Sequence, residues 1–141
     1  MKTRFLTLPD LPLQITQVIG EGEPEPAYRQ IREYHARTPE AYELPVITDI
    51  RRFFGMVRFE TFAEHINLLR AARVALGLTP FLMKPQIYLN NTEHHAVQLD
   101  QLYAAVGRPP TLMAASTVEE CWAKLGRTDA VPAQVRRFLK D

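Results

Sequence analysis

The residues able to do chemistry fall into a few groups. Asp49 is followed by Ile50, the pair Arg51-Arg52, the pair Phe53-Phe54, and then Arg58 and Glu60. A carboxylate near the carboxyl end of a buried strand is a favoured functional position in open α/β sheets. It is equally a partner for Arg51 or Arg52, or a cap for the next turn. Arginines interleaved with aromatic rings can bind a nucleic-acid strand by charge and stacking. On a chain of net charge +1, the same cluster reads as a folded loop whose phenylalanines close the core, and no nucleic-acid partner is expected. His94 and His95 are adjacent, so on a helix they diverge by about 100° and do not converge on one ion. Neither Glu93 nor the Glu64-His65 pair supplies the i, i+4 spacing of helical zinc sites. A site assembled across helices from His65, His94 and His95 is the remaining geometric route. The plainer reading is exposed histidines at a helix start, and no metal is expected. Cys121 lies beside Trp122 on an apolar stripe and reads as core filler. Gly20-x-Gly22 is followed at the third place by Glu25, and no Gly-Lys-Ser/Thr is present, which argues against a nucleotide-binding loop. Ser116 is the single serine. No catalytic residue and no cofactor are therefore nominated.

The frame that must position these groups is bounded by length and composition. The chain has 141 residues, 46% apolar and 23% charged, which suits one domain with a genuine core. One cysteine excludes a disulfide framework. Met1-Lys2-Thr3-Arg4-Phe5 runs into Pro9 and Pro12 without an apolar segment, so no secretory signal is expected. No apolar run approaches the ~20 residues of a membrane span, and a soluble cytoplasmic protein is the expectation. Thirteen of the seventeen basic residues are arginine, the side chain suited to bidentate pairing with carboxylates or phosphates.

Glycine and proline punctuate the chain. Alternation predicts strands over 4–8 and 13–19, joined by the turn Asp10-Leu11-Pro12 into a hairpin. Glu23 to Arg37 reads as a helix. Pro24 and Pro26 sit at its entrance, and Ala27, Ile31, Tyr34 and His35 share a face. Leu44 to Ile50 reads as a strand buried on both faces. A long helix follows from Phe59 or Glu60 to Leu76, with Phe62, Ile66, Leu69 and Leu76 inward and Gly77 as C-cap. Gln86 to Asn90 is a strand. Asn91 or Thr92 caps a helix to Val106 whose stripe is Leu99, Leu102, Tyr103 and Val106. Thr111 to Ala115 is a last short strand. Ser116-Thr117-Val118-Glu119 reads as a capping box, opening a helix with Val118, Cys121, Trp122 and Leu125 inward and Gly126 at its end. The segment 127–141 carries Val131, Val135, Phe138 and Leu139 at helical spacing. The expected fold is α/β. It has a mixed, mostly parallel sheet of four to five strands that starts with a β-hairpin and packs with about four helices. The expected organisation is a domain over 1–126 and a C-terminal tail or extra helix over 127–141.

In element order, and in its motifs from Pro45 to Gly126, the chain resembles the STAS superfamily. The likeness is to small stand-alone bacterial proteins similar to the anti-sigma-factor antagonist of sporulation. It rests on a hairpin, a helix, a strand ending in Asp49-Ile50-Arg51, and the ending Ser116-Thr117-Val118-Glu119-Glu120-Cys121-Trp122-Ala123-Lys124-Leu125-Gly126. The resemblance implies a non-enzymatic regulatory module that binds a protein partner, in some members switched by phosphorylation. The usual acceptor serine at the start of the long helix is missing from Gly55-Met56-Val57-Arg58-Phe59-Glu60-Thr61-Phe62, so no phospho-acceptor is assigned. A homodimer is expected on the apolar loop residues Phe53, Phe54, Met56 and Val57. The alternative is a protein that binds a small molecule or anion (phosphate, nucleotide or lipid) through Asp49, Arg51, Arg52 and Arg58. The candidate binding residues are Asp49, Arg51, Arg52, Phe54, Arg58 and Glu60.

Overall fold

The structure, a computed structural model, describes residues 1–140. It is α/β, as its pattern of elements predicts. The strands are β1 (Lys2–Leu8), β2 (Leu13–Glu21), β3 (Val46–Phe54), β4 (Gln86–Leu89) and β5 (Leu112–Ala115). The helices are α1 (Glu25–Arg37), α2 (Phe59–Ala75), α3 (Glu93–Val106), α4 (Val118–Lys124) and α5 (Ala133–Lys140), with a 3-10 turn over Pro39–Glu43. The strands lie in the order β1-β2-β3-β4-β5. β1 pairs antiparallel with β2, and every later pairing is parallel.

This order has a direct physical consequence. The three crossovers from β2 to β5 all step the same way across the sheet. Parallel crossovers share one hand, so α1, α2 and α3 come to one face and leave the other to α4 and α5. Strand alternation serves both faces. Leu13, Ile15, Ile47, Ile87 and Leu89 pack with Cys121, Trp122, Val135 and Leu139 on the α4/α5 side. Tyr88 and Leu112 pack with Phe62, Ile66, Leu102 and Tyr103 on the other. α5 is part of the first core, with Val135 and Leu139 fully buried.

β3 runs four residues further than its aliphatic segment suggests, so Arg51 to Phe54 belong to the strand and not to a loop. Its burial alternates in part, with Ile47, Asp49 and Phe53 covered, Thr48, Ile50 and Arg51 partly exposed, and Arg52 exposed. It carries a bulge. Gln17 pairs with Asp49 and Ile19 with Arg52, so Val18 alone faces both Ile50 and Arg51. The extra residue resets the alternation. Ile50 and Phe53 turn to the α1/α2/α3 side, whereas Arg51 and Arg52 both reach α5.

Two local expectations are corrected. The inward stripe of α2 ends on Arg73, which is buried, and Leu76 is more than half exposed. Arg73 holds the turn below α2 together, donating to the carbonyls of Tyr42, Thr79 and Phe81 and to Glu43. The box opening α4 is shifted by one residue. Thr117 Oγ1 accepts from Glu120 N–H, and Glu120 accepts from Ser116 N–H. Thr117→Ala should therefore cost about 1 kcal/mol in denaturant unfolding, with Ser116→Ala costing less.

Gly77 and Gly126 have φ of 80° and 81°. Each places a C″ N–H on the C3 carbonyl, from Leu78 to Arg73 and from Arg127 to Trp122. This geometry ends both helices and favours glycine.

Candidate functional site

The candidate residues divide between two places. Asp49 is 1% exposed. Its carboxylate accepts from Arg51 N–H at 3.0 Å, from Arg51 Nε and Nη2 at 2.9 and 3.0 Å, and from Gln17 Nε2 at 3.0 Å. Gln17 in turn accepts from Arg4 at 2.7 Å. Arg4, Arg51 and Arg52 then donate to the last three carbonyls of α5, those of Phe138, Leu139 and Lys140. Cations on the negative end of a helix dipole are well placed, and Arg4 also stacks on the Phe138 ring at 4.4 Å. Asp49, Arg51 and Arg52 thus form a network that holds α5 to the sheet. Arg51 and Arg52 also border an open hollow with Asn91, Arg136 and Lys140. Arg136 pairs with Glu119 at 2.7 Å.

Arg58, Phe54 and Glu60 take no part in this network. Arg58 is an exposed residue paired with Glu23 at 3.2 Å. Phe54 and Met56 are 58% and 81% exposed, while Phe53 is buried and Val57 packs on the core. Only half of the apolar segment at the end of β3 is therefore available to solvent. Cys121 is fully buried, and burial pushes its thiol up to about 12, so it offers no thiolate near neutral pH. His94, His95 and His65 do not converge, and no group of three metal-ligating side chains occurs among the described residues.

The other side of the sheet holds a feature that sequence reasoning did not nominate. Between the sheet and α1, α2 and α3 lies a cavity of about 200 Å³. Alternate residues of β3 form its floor: Val46, Thr48, Ile50 and Phe53. From Val46 to Phe53 is roughly 20 Å at the rise of a strand, so the cavity is a long slot. α1 contributes Ala27, Ile31 and His35 to the wall, as their helical spacing predicts. Tyr34 turns away instead and stacks on Phe5 at 4.2 Å.

Polar groups punctuate this apolar lining. Tyr88 and Tyr103 share a hydrogen bond at 2.8 Å, and burial raises both phenols. His35 donates from Nδ1 to the Ile31 carbonyl at 2.9 Å. His65 is 5% exposed and stacks on Tyr28, with ring centroids 4.2 Å apart. Arg32 Nη1 lies 3.1 Å from His65 Nδ1. A guanidinium only donates, so Nδ1 accepts and the imidazole proton sits on Nε2. Burial, then the charge of Arg32, then His35, hold the His65 pKa down at about 3.

The sequence signal for this site was a histidine in register with Phe62, Ile66 and Leu69 on the inner stripe of α2. Paired with Glu64 as a metal candidate, His65 points the wrong way. Placed on the stripe, it is a buried polar group in need of a purpose.

A histidine held neutral in the fold makes stability depend on pH with a definite sign. Unfolded chains take up a proton below their ordinary pKa near 6.5 and the folded chain does not, so stability falls as pH drops from about 6.5 towards 3. At about pH 5 the His65 contribution is a loss of about 2 kcal/mol. His65→Gln, which keeps an acceptor for Arg32, should be less stable near neutral pH. It should also show a shallower decline on acidification, read as the difference between the two pH–stability curves from urea unfolding.

Comparison of the chain with protein-family models, with curated proteins and with solved structures found no match. No helix among the described residues is long and apolar enough to cross a membrane.

Proposed function

We propose that this chain is a non-enzymatic binding domain that takes a small apolar molecule into the slot between the sheet and α1–α3. The observation that carries this reading is the slot itself. Protein interiors hold few voids larger than a water molecule, and an engineered apolar cavity of about 150 Å³ already binds benzene. Left empty, 200 Å³ costs at most about 5 kcal/mol at roughly 24 cal/mol per Å³. Such a cost is readily understood where a ligand offsets it. The lining agrees with the usual form of a ligand site, mostly apolar with a few placed polar groups. The non-catalytic part of the proposal is supported by the engagement of Asp49 and the inert surroundings of Cys121.

The test is a thermal-shift series on the purified chain with 1-dodecanol and dodecanoic acid, run beside pyrophosphate and ATP. A ligand at 100 times its dissociation constant adds about 2.7 kcal/mol. Stabilisation by the apolar compounds and not by the anions is the expected result. A shift with pyrophosphate or ATP alone would move the function to Arg51, Arg52 and their hollow. No shift with any of the four would remove the slot reading.

A second reading has its own observation. Phe54, Met56 and Phe59 are exposed apolar residues close in sequence at the end of β3 and the start of α2. Together with the STAS-like motifs, they support a partner-binding or self-associating regulatory role. Sedimentation velocity of the wild type against a Phe54→Ser/Met56→Ser double variant tests it. A dimer lost in the variant is the positive result, and a monomer in both removes self-association.

A further inference from the structure

The slot discriminates among apolar molecules by shape and by charge. The lining runs along β3 from Val46 to Phe53 and is mostly apolar, which suits an extended aliphatic chain. None of the lining residues is an aspartate or glutamate, whereas Arg70, Arg73 and three histidines take part. Such a wall does not repel an anion. His65 supplies the specific contact. Its Nε2–H has no protein acceptor among the described residues, and the side chain is 95% buried on the slot wall. A ligand oxygen in the slot would supply the acceptor that the protein does not. Behind the ring, the fixed positive charge of Arg32 polarises the imidazole from Nδ1 and makes Nε2–H a stronger donor. Tyr28 covers the ring face.

Resting on the binding function proposed above, we infer that the occupant is a single-chain aliphatic carboxylic acid whose carboxylate accepts a hydrogen bond from His65 Nε2. The burial that keeps His65 neutral makes it a donor without adding a second full charge to the site.

The experiment compares dodecanoic acid with 1-dodecanol by calorimetric titration near neutral pH, where the acid is ionised. The acid should bind at least tenfold more tightly. In His65→Phe, which retains an aromatic ring against Tyr28, that preference should fall below twofold while the alcohol still binds. Imidazole ¹H–¹⁵N spectra of the wild type provide a readout independent of the variant's folding. The His65 Nε2 resonance should move with the acid and not with the alcohol. Equal affinity for the two compounds, or an unmoved Nε2 signal on acid binding, overturns this inference and leaves the slot reading standing. Failure of both compounds to bind overturns the slot reading as well.

Discussion

Replacing Thr48 by phenylalanine should leave the protein folded and at least as stable, and should weaken dodecanoic acid binding by a hundredfold or more. Thr48 lies midway along the floor of the slot, between Thr16 and Tyr88 on the neighbouring strands. An aromatic residue is well suited to a strand, and here its ring would extend into open space. Burying the added apolar surface offers about 1–2 kcal/mol, whereas forcing a large residue into a packed core costs about 1–3 kcal/mol. The sign of the stability change therefore reports whether the space exists. A hundredfold loss of affinity corresponds to about 2.7 kcal/mol, as expected for a plug midway along the proposed ligand's path. Urea unfolding and calorimetric titration on the same preparation measure both quantities. A destabilised variant that still binds normally would show the slot to be closed and the ligand to sit elsewhere.

Asp49→Ala should lower stability by about 3–5 kcal/mol, a large share of what a domain of this size possesses. The cost comes from what is left behind. Arg51 loses three hydrogen bonds to the carboxylate and Gln17 loses its acceptor, all near the centre of the sheet. Removing Arg51 together with Asp49 should cost less than the sum of the single changes, because the stranded cation is removed with its partner. The same variants separate structure from ligand binding. If Asp49 and Arg51 serve only to hold α5, Asp49→Ala should leave dodecanoic acid binding to the folded fraction within about twofold, well under the ~1.4 kcal/mol of a tenfold change. Urea unfolding with the fluorescence of Trp122, which packs in the α5 core, follows the stability change directly.

Most of the fold was legible because local signals agreed with one another. Glycines after helices, prolines at the entrance to α1, and the stripes of α3 and α4 each reported one element correctly, and the order of elements implied the sheet. Three things were not legible, each for a physical reason. The bulge in β3 is a matter of pairing between strands, and nothing in Ile50-Arg51 marks it. The partners of Asp49 include Gln17, 32 residues away, and the arginines find theirs on α5, 88 residues on, which composition near Asp49 does not announce. The slot is a shortage of atoms between elements that are each well formed, and a shortage has no residue to carry its signature. The site expected at the strand end also leaned on a rule for sheets whose strand order reverses. Here the order runs straight from β1 to β5, so no such crevice is created.

The single supernumerary residue opposite Val18 makes β3 two rulers laid end to end, half a period out of phase. Before it, even-numbered positions face α1–α3. After it, odd-numbered ones do. Regular pairing without the bulge would drive Arg52 into the apolar slot and throw Phe53 against the end of α5, whereas excising the extra residue would leave both on their present faces. Slot and helix anchorage are thus inherited together, through one backbone irregularity that no side-chain substitution reproduces.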